Sequence, residues 1–183
     1  MAPAKDSPAN SLVLPMLAGL QAGMLGVFWM LAWLGISAKW QLRSFWTAEN
    51  LMASVFYGER SIRSGFAWQT VAGLSLYLLI YSLLGAIFAV VIAVAVSGLP
   101  ARIRLVLLGI LFAYGWYYLS FRIFGRSMMP LVALLHSTQP TALGHVLYGS
   151  LLGRYPTYLP HAEPSPEVVG AAAEAPQAES ASD

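Results

Sequence analysis

Residues Val71–Val96 read VAGLSLYLLIYSLLGAIFAVVIAVAV, 26 positions without a charge, inside an uncharged zone that runs from Ser64 to Ala101. At about 1.5 Å per residue the quoted stretch is roughly 39 Å long as a helix. The hydrocarbon of a bilayer is roughly 30 Å thick. A soluble core helix has no need of such a run, so the stretch predicts a membrane span, placed at about 68–98.

The composition agrees. The chain has 183 residues, 58% hydrophobic and only 10% charged, with a mean hydropathy of +0.65. Soluble domains carry about 25% charged residues, so most of this surface is expected to face something other than water. The fold class that follows is all-α: a polytopic membrane helical bundle of about four transmembrane helices with one interfacial amphipathic helix. The net charge of +2 fits loop arginines at lipid headgroups. No Lys/Arg run with interleaved aromatics points to nucleic acid, and none is expected as a partner. The absence of cysteine removes disulfides, thiolate nucleophiles, iron–sulfur clusters and Cys-based zinc sites.

Downstream of the central span, Ser97-Gly98-Leu99-Pro100 predicts a chain reversal, and a third span follows at about 103–122 with the aromatic centre FAYGWYYL. Beyond it, Met128–Leu135 is apolar, but Ser137-Thr138-Gln139-Pro140 interrupts with a turn and helix-start signal. Either 128–136 is an interfacial piece before a short last helix at about 140–155, or one bent helix runs through. The short helix is the preferred reading. Upstream lies a first span at about 12–37, too long for the apolar region of a signal peptide. Between it and the central span, Lys39–Arg63 forms the one sizeable loop. Within it, residues 45–57 place Phe45, Ala48, Leu51, Met52, Val55 and Phe56 on one helical face and Glu49, Asn50, Ser54 and Tyr57 on the other. The expectation is a helix in the interface plane, Thr47 capping its start, Gly58 its end, and the Glu49–Asn50 side solvated. Trp40, Trp46 and Trp68 would mark the headgroup level. The domain division is a flexible tail at 1–10, a helical membrane domain at 11–158, and an acidic, Ala- and Pro-rich disordered tail at 159–183.

Small residues recur at helix-packing spacing. Gly19 and Gly23 form one GxxxG pair and Gly149 and Gly153 another, each able to bring a second helix backbone close. Among polar groups, His145, Tyr148, Asn50 and Tyr81 are the functional candidates. Nine residues and a proline turn separate His136 from His145, so they are no i,i+4 metal pair, and no metal is expected. For His145 the structural expectation is a hydrogen bond to a carbonyl or a tyrosine; the functional alternative is proton relay or ligand contact. No span contains Asp or Glu, no GxSxG or phosphate loop occurs, and no catalytic residue or cofactor is assigned.

The segments PTALGHVLYGSLLGRYP (140–156) and FWTAENLMASVFYGE (45–59) resemble stretches of small bacterial inner-membrane proteins of unknown function, in which a His-x-x-Tyr-Gly-x-x-x-Gly helix follows a proline turn. The resemblance implies a compact four-helix bacterial membrane protein and transfers no catalytic residue. The functional expectation is a non-enzymatic accessory subunit or small oligomer whose partners are the lipid bilayer and other membrane subunits or itself. Two alternatives stand beside it, a carrier or channel for a neutral or lipid-like solute and a haem- or quinone-binding subunit. The expected location is the bacterial inner membrane. Counting loop Lys and Arg, six against four, sets the first and third loops in the cytoplasm.

Overall fold

A computed structural model describes residues 8–96 and 101–160. The reversal at 97–100, His161, and most of the two expected tails lie outside the described residues. Among the described residues all regular structure is helical and there is no strand. Helix α1 spans Pro8–Trp40, α2 Thr47–Tyr57, α3 Glu59–Ile62 and α4 Trp68–Ala95. Then come α5 Arg102–Tyr118, a π-helical turn Leu119–Phe124, α6 Gly125–Met128, α7 Pro130–Leu135, α8 Thr138–Leu152 and a 3-10 turn Tyr155–Tyr158. Three segments are long and apolar enough to cross a membrane: Leu12–Trp40, Trp68–Ala95 and Arg102–Phe124. Helix α1 runs beyond the expected 12–37 at both ends.

Local chemistry sets the breaks. Pro130 is the first residue of α7, and Met129 before it leaves the helical region at φ −138°, ψ 64°, as a residue preceding proline tends to do. His136 is extended at ψ 143° and Ser137 at ψ 105°. Residues 130–135 are therefore a helix of their own, and the last helix is the short one. At the end of α2, Gly58 holds φ 60° and its N–H donates to the Ser54 carbonyl at 2.9 Å, a glycine-terminated helix end. The start differs from expectation. Trp46 stands at the cap position, while Thr47 is the first helical residue, its hydroxyl donating to the Ser44 carbonyl at 2.6 Å.

Backbone-to-backbone contact at glycine organises the packing. A Cβ on Gly19 or Gly23 would run into the α4 backbone at Gly85 and Tyr81, so α1 and α4 lie antiparallel at close range. A Cβ on Gly149 or Gly153 would strike α5 at Gly109 and Val106, which sets α8 antiparallel to α5. Helix α8 also leans on α1, where Gly144 faces Met30 and Leu34, and Gly26 faces Tyr148. Both GxxxG pairs are thus occupied within the chain. Without a hydrophobic drive between helices in lipid, close packing of this kind is the main source of association. Helix α2 crosses α4 at Gly73, against the Glu49 carbonyl.

This crossing corrects one expectation. Glu49 and Asn50 are each only 2% exposed, whereas Val55 and Phe56 face outward. Glu49, Asn50 and Ser54 of the polar side are turned into the protein instead of toward water, together with Leu51 and Met52 of the apolar side. Gly73 is the reason: without a side chain there, the backbone of α2 at Glu49 seats directly on α4.

Candidate functional site

A buried polar cluster joins α4 to α8. His145, 1% exposed, has Nδ1 2.8 Å from the Thr141 carbonyl and Nε2 2.7 Å from the Tyr81 hydroxyl. A carbonyl only accepts, so Nδ1 carries the proton and Nε2 accepts from Tyr81. Tyr148 in turn donates to the backbone carbonyl of Tyr81 at 2.6 Å. Helical spacing explains the meeting. Positions 141, 145 and 148 share one face of α8, and Tyr77 and Tyr81 share one face of α4, their rings 5.7 Å apart. Phe121, on the π-turn after α5, completes the shell, with its ring 4.5 Å from His136 and 5.9 Å from His145. The structure thus brings three of the four candidates, His145, Tyr148 and Tyr81, into one network in which each bond has a partner. A network satisfied in this way fixes helices relative to one another.

Asn50 lies elsewhere. Its amide nitrogen donates to the Ser64 carbonyl at 2.7 Å and the Gly65 carbonyl at 3.0 Å, and its oxygen accepts from the Thr70 hydroxyl at 2.7 Å. The Thr70 oxygen also accepts from the Ala67 N–H at 3.0 Å. Asn50 therefore fastens α2 to the connection before α4 and to the first turn of α4. It satisfies backbone groups that the loop cannot pair for itself.

Two further features were not marked by the sequence reading. Glu49 sits beside Asn50 on α2, outside the three long apolar segments, with Oε2 buried and unpartnered. Burial pushes its carboxyl up from 4.5 to about 7. The second is a cleft of about 460 Å³, mouth included, between the end of α1, the start of α2, α7 and the first turn of α8. Its apolar floor includes Leu34, Leu51, Phe121 and Val132, and its polar edge Ser37, Gln41, Arg43, His136 and Ser137. The Ser37 hydroxyl and His136 Nε2 are buried there without a partner. The extended residues His136 and Ser137 help bring this edge together; the turn signal at 137–140 announced the break but not the side chains it gathers. A mostly apolar cleft of about 370 Å³, mouth included, lies nearby, against Met52, Tyr81, Trp116 and Met129.

Among the described residues no group of three or more His, Asp or Glu could hold a metal ion. Comparison with family models, curated proteins and solved structures gives no match to this chain.

Proposed function

We propose that this chain is a multi-pass membrane protein of four crossings, α8 being the fourth, and that it acts as a non-enzymatic accessory subunit packing against other membrane helices. The observation that carries the reading is the outer surface of α5. Leu107, Leu111, Tyr114 and Tyr118 are 47–69% exposed along it, and Gly115 among them has nothing within 4 Å of where its Cβ would be. A small residue flanked by large apolar ones is the surface on which a second membrane helix packs closely. The glycines of α1 and α8 are spent on internal contacts, so among the described long helices Gly115 is the glycine left for close approach by a partner.

The polar network supports the same reading. Tyr81, His145 and Tyr148 bond one another and the backbone, leaving no unpaired group among them at mid-helix for a transported solute. Both ring nitrogens of His145 are engaged, which weighs against an iron ligand. The resemblance of 45–59 and 140–156 to small bacterial inner-membrane proteins fits this assignment, as does the aromatic edge of Trp40 and Trp68, 73% and 75% exposed. On the count of loop Lys and Arg, the end of the bundle holding α2 and α7 faces the cytoplasm.

The test is a mild-detergent pull-down of the full chain from its native membrane. The reading expects membrane chains that co-purify in fixed proportion and are lost on Gly115→Leu. A chain that purifies alone, and by itself conducts solute into proteoliposomes in a manner abolished by His145→Ala, would replace it with a carrier.

A further inference from the structure

The cleft between α1, α2, α7 and α8 has a chemistry that the helix-packing role does not use. Its polar edge consists largely of donors. Ser37 is 3% exposed and its hydroxyl has no acceptor, although a helical serine can commonly bond the carbonyl one turn back. His136 holds Nδ1 against the carbonyls of Ala133 at 2.9 Å and Val132 at 3.1 Å. That assigns the Nδ1 proton and leaves Nε2 as an acceptor on the cleft's edge.

Arg43 reaches over the same edge. Its Nη1 makes two long contacts, 3.3 Å to the Ser137 hydroxyl and 3.5 Å to the Leu135 carbonyl, so most of the guanidinium's five donors remain for a ligand. The Ser137 hydroxyl donates to Gln41 at 2.8 Å. It does not cap α8, whose first turn borders the cleft with no side-chain cap and with the positive end of its dipole. No carboxylate lines the cleft.

We propose that this cleft binds a phosphate-type oxyanion carried on an apolar chain, the head of an anionic membrane lipid. Arg43 and the buried Ser37 are its donors. A donor-rich rim without an acid selects an anion, and Arg fits phosphate oxygens with a planar fork. The floor of Leu34, Leu51 and Val132 favours a head with hydrocarbon attached over a free ion. Depth agrees, since Arg43 follows directly on the last turn of α1, next to the exposed Trp40. The proposal rests on the membrane placement above and not on any protein partner, so failure of the pull-down leaves it standing.

The experiment is native mass spectrometry of the purified full-length chain in a neutral detergent, titrated with phosphatidylglycerol and, separately, with phosphatidylcholine. The expected result is one saturable phosphatidylglycerol adduct, preferred about tenfold over phosphatidylcholine. Arg43→Gln and Ser37→Ala should each weaken it severalfold, and Arg43→Lys less than Arg43→Gln. Arg104→Gln, at the opposite end of the bundle, should leave it unchanged. Equal, unsaturable uptake of both lipids by the unmodified chain would overturn the proposal without recourse to any variant, and the cleft would then hold water alone. Inorganic phosphate that raises the melting temperature as much as the lipid would overturn the lipid assignment.

Discussion

Tyr81→Phe removes one oxygen and keeps the ring that packs on Tyr77 and Tyr148. It also keeps the Tyr81 carbonyl that accepts from the Tyr148 hydroxyl, so no cavity and no second broken bond confuse the result. What changes is His145, whose Nε2 loses its 2.7 Å donor while 1% exposed. A buried acceptor left alone costs about 1–3 kcal/mol. His145→Leu strands the Tyr81 hydroxyl at a similar cost, whereas the double variant strands neither group. Hydrogen bonds between membrane helices show coupling energies that average about 0.6 kcal/mol and reach about 1.7. The short, buried, well-partnered geometry here places the coupling toward the upper end, about 1 kcal/mol or more. Unfolding of the four proteins in mixed micelles, followed by circular dichroism over a range of denaturing detergent, measures it directly. Effects that add to within about 0.3 kcal/mol would mean that the two side chains are independent, and the bond at the centre of the bundle would be refuted.

Other variants probe the remaining joints. Glu49 holds its proton to about pH 7 in the folded chain against 4.5 when free, so the folded state binds more protons between those values. Stability is then full below about pH 4.5 and declines as pH rises through about 7, by up to about 3 kcal/mol. Melting curves from pH 5 to 8 should show this decline and its flattening in Glu49→Gln; a wild-type chain that gains stability with pH would contradict it. Gly85→Ala sets a methyl against the backbone of Gly19 and Gly23 and should cost about 1–3 kcal/mol. Gly115→Ala meets open space and should be neutral or stabilising by up to about 1 kcal/mol, so equal loss in the two variants would discount the α1–α4 contact. Asn50→Leu leaves the Ser64 and Gly65 carbonyls and the Thr70 hydroxyl without their partner. Protease cleavage between α3 and α4 should then accelerate at least tenfold, and unchanged cleavage would remove Asn50 as the fastening.

The helices were legible because their signals are additive. Twenty-six uncharged residues at Val71–Val96 need no tertiary context to be read, and α4 follows from them. His145 was partly legible, since a lone histidine on an apolar helix has few ways to pair. A carbonyl or a tyrosine was expected, and Thr141 and Tyr81 supply one each. The glycine pairs announced close packing but not the partner, because spacing describes one surface of a contact and not the other. Glu49 shows where such reasoning stops. A helical wheel sorts α2 into two faces and says nothing about what lies against each, and the default of water on the polar side failed once Gly73 drew that side onto α4. The cleft was less legible still. The turn signal at 137–140 announced the break at His136–Ser137 but not what it gathers, and the π-turn that delivers Phe121 leaves no periodic trace.

The central claim is that lipid surrounds the exposed apolar faces of α1 and α4. The most direct measurement is fractionation of broken cells by high-speed centrifugation, followed by a wash at alkaline pH. The account predicts that the full chain sediments with the membranes, resists the wash and is released only by detergent. A chain that stays in the supernatant with no detergent present would contradict it.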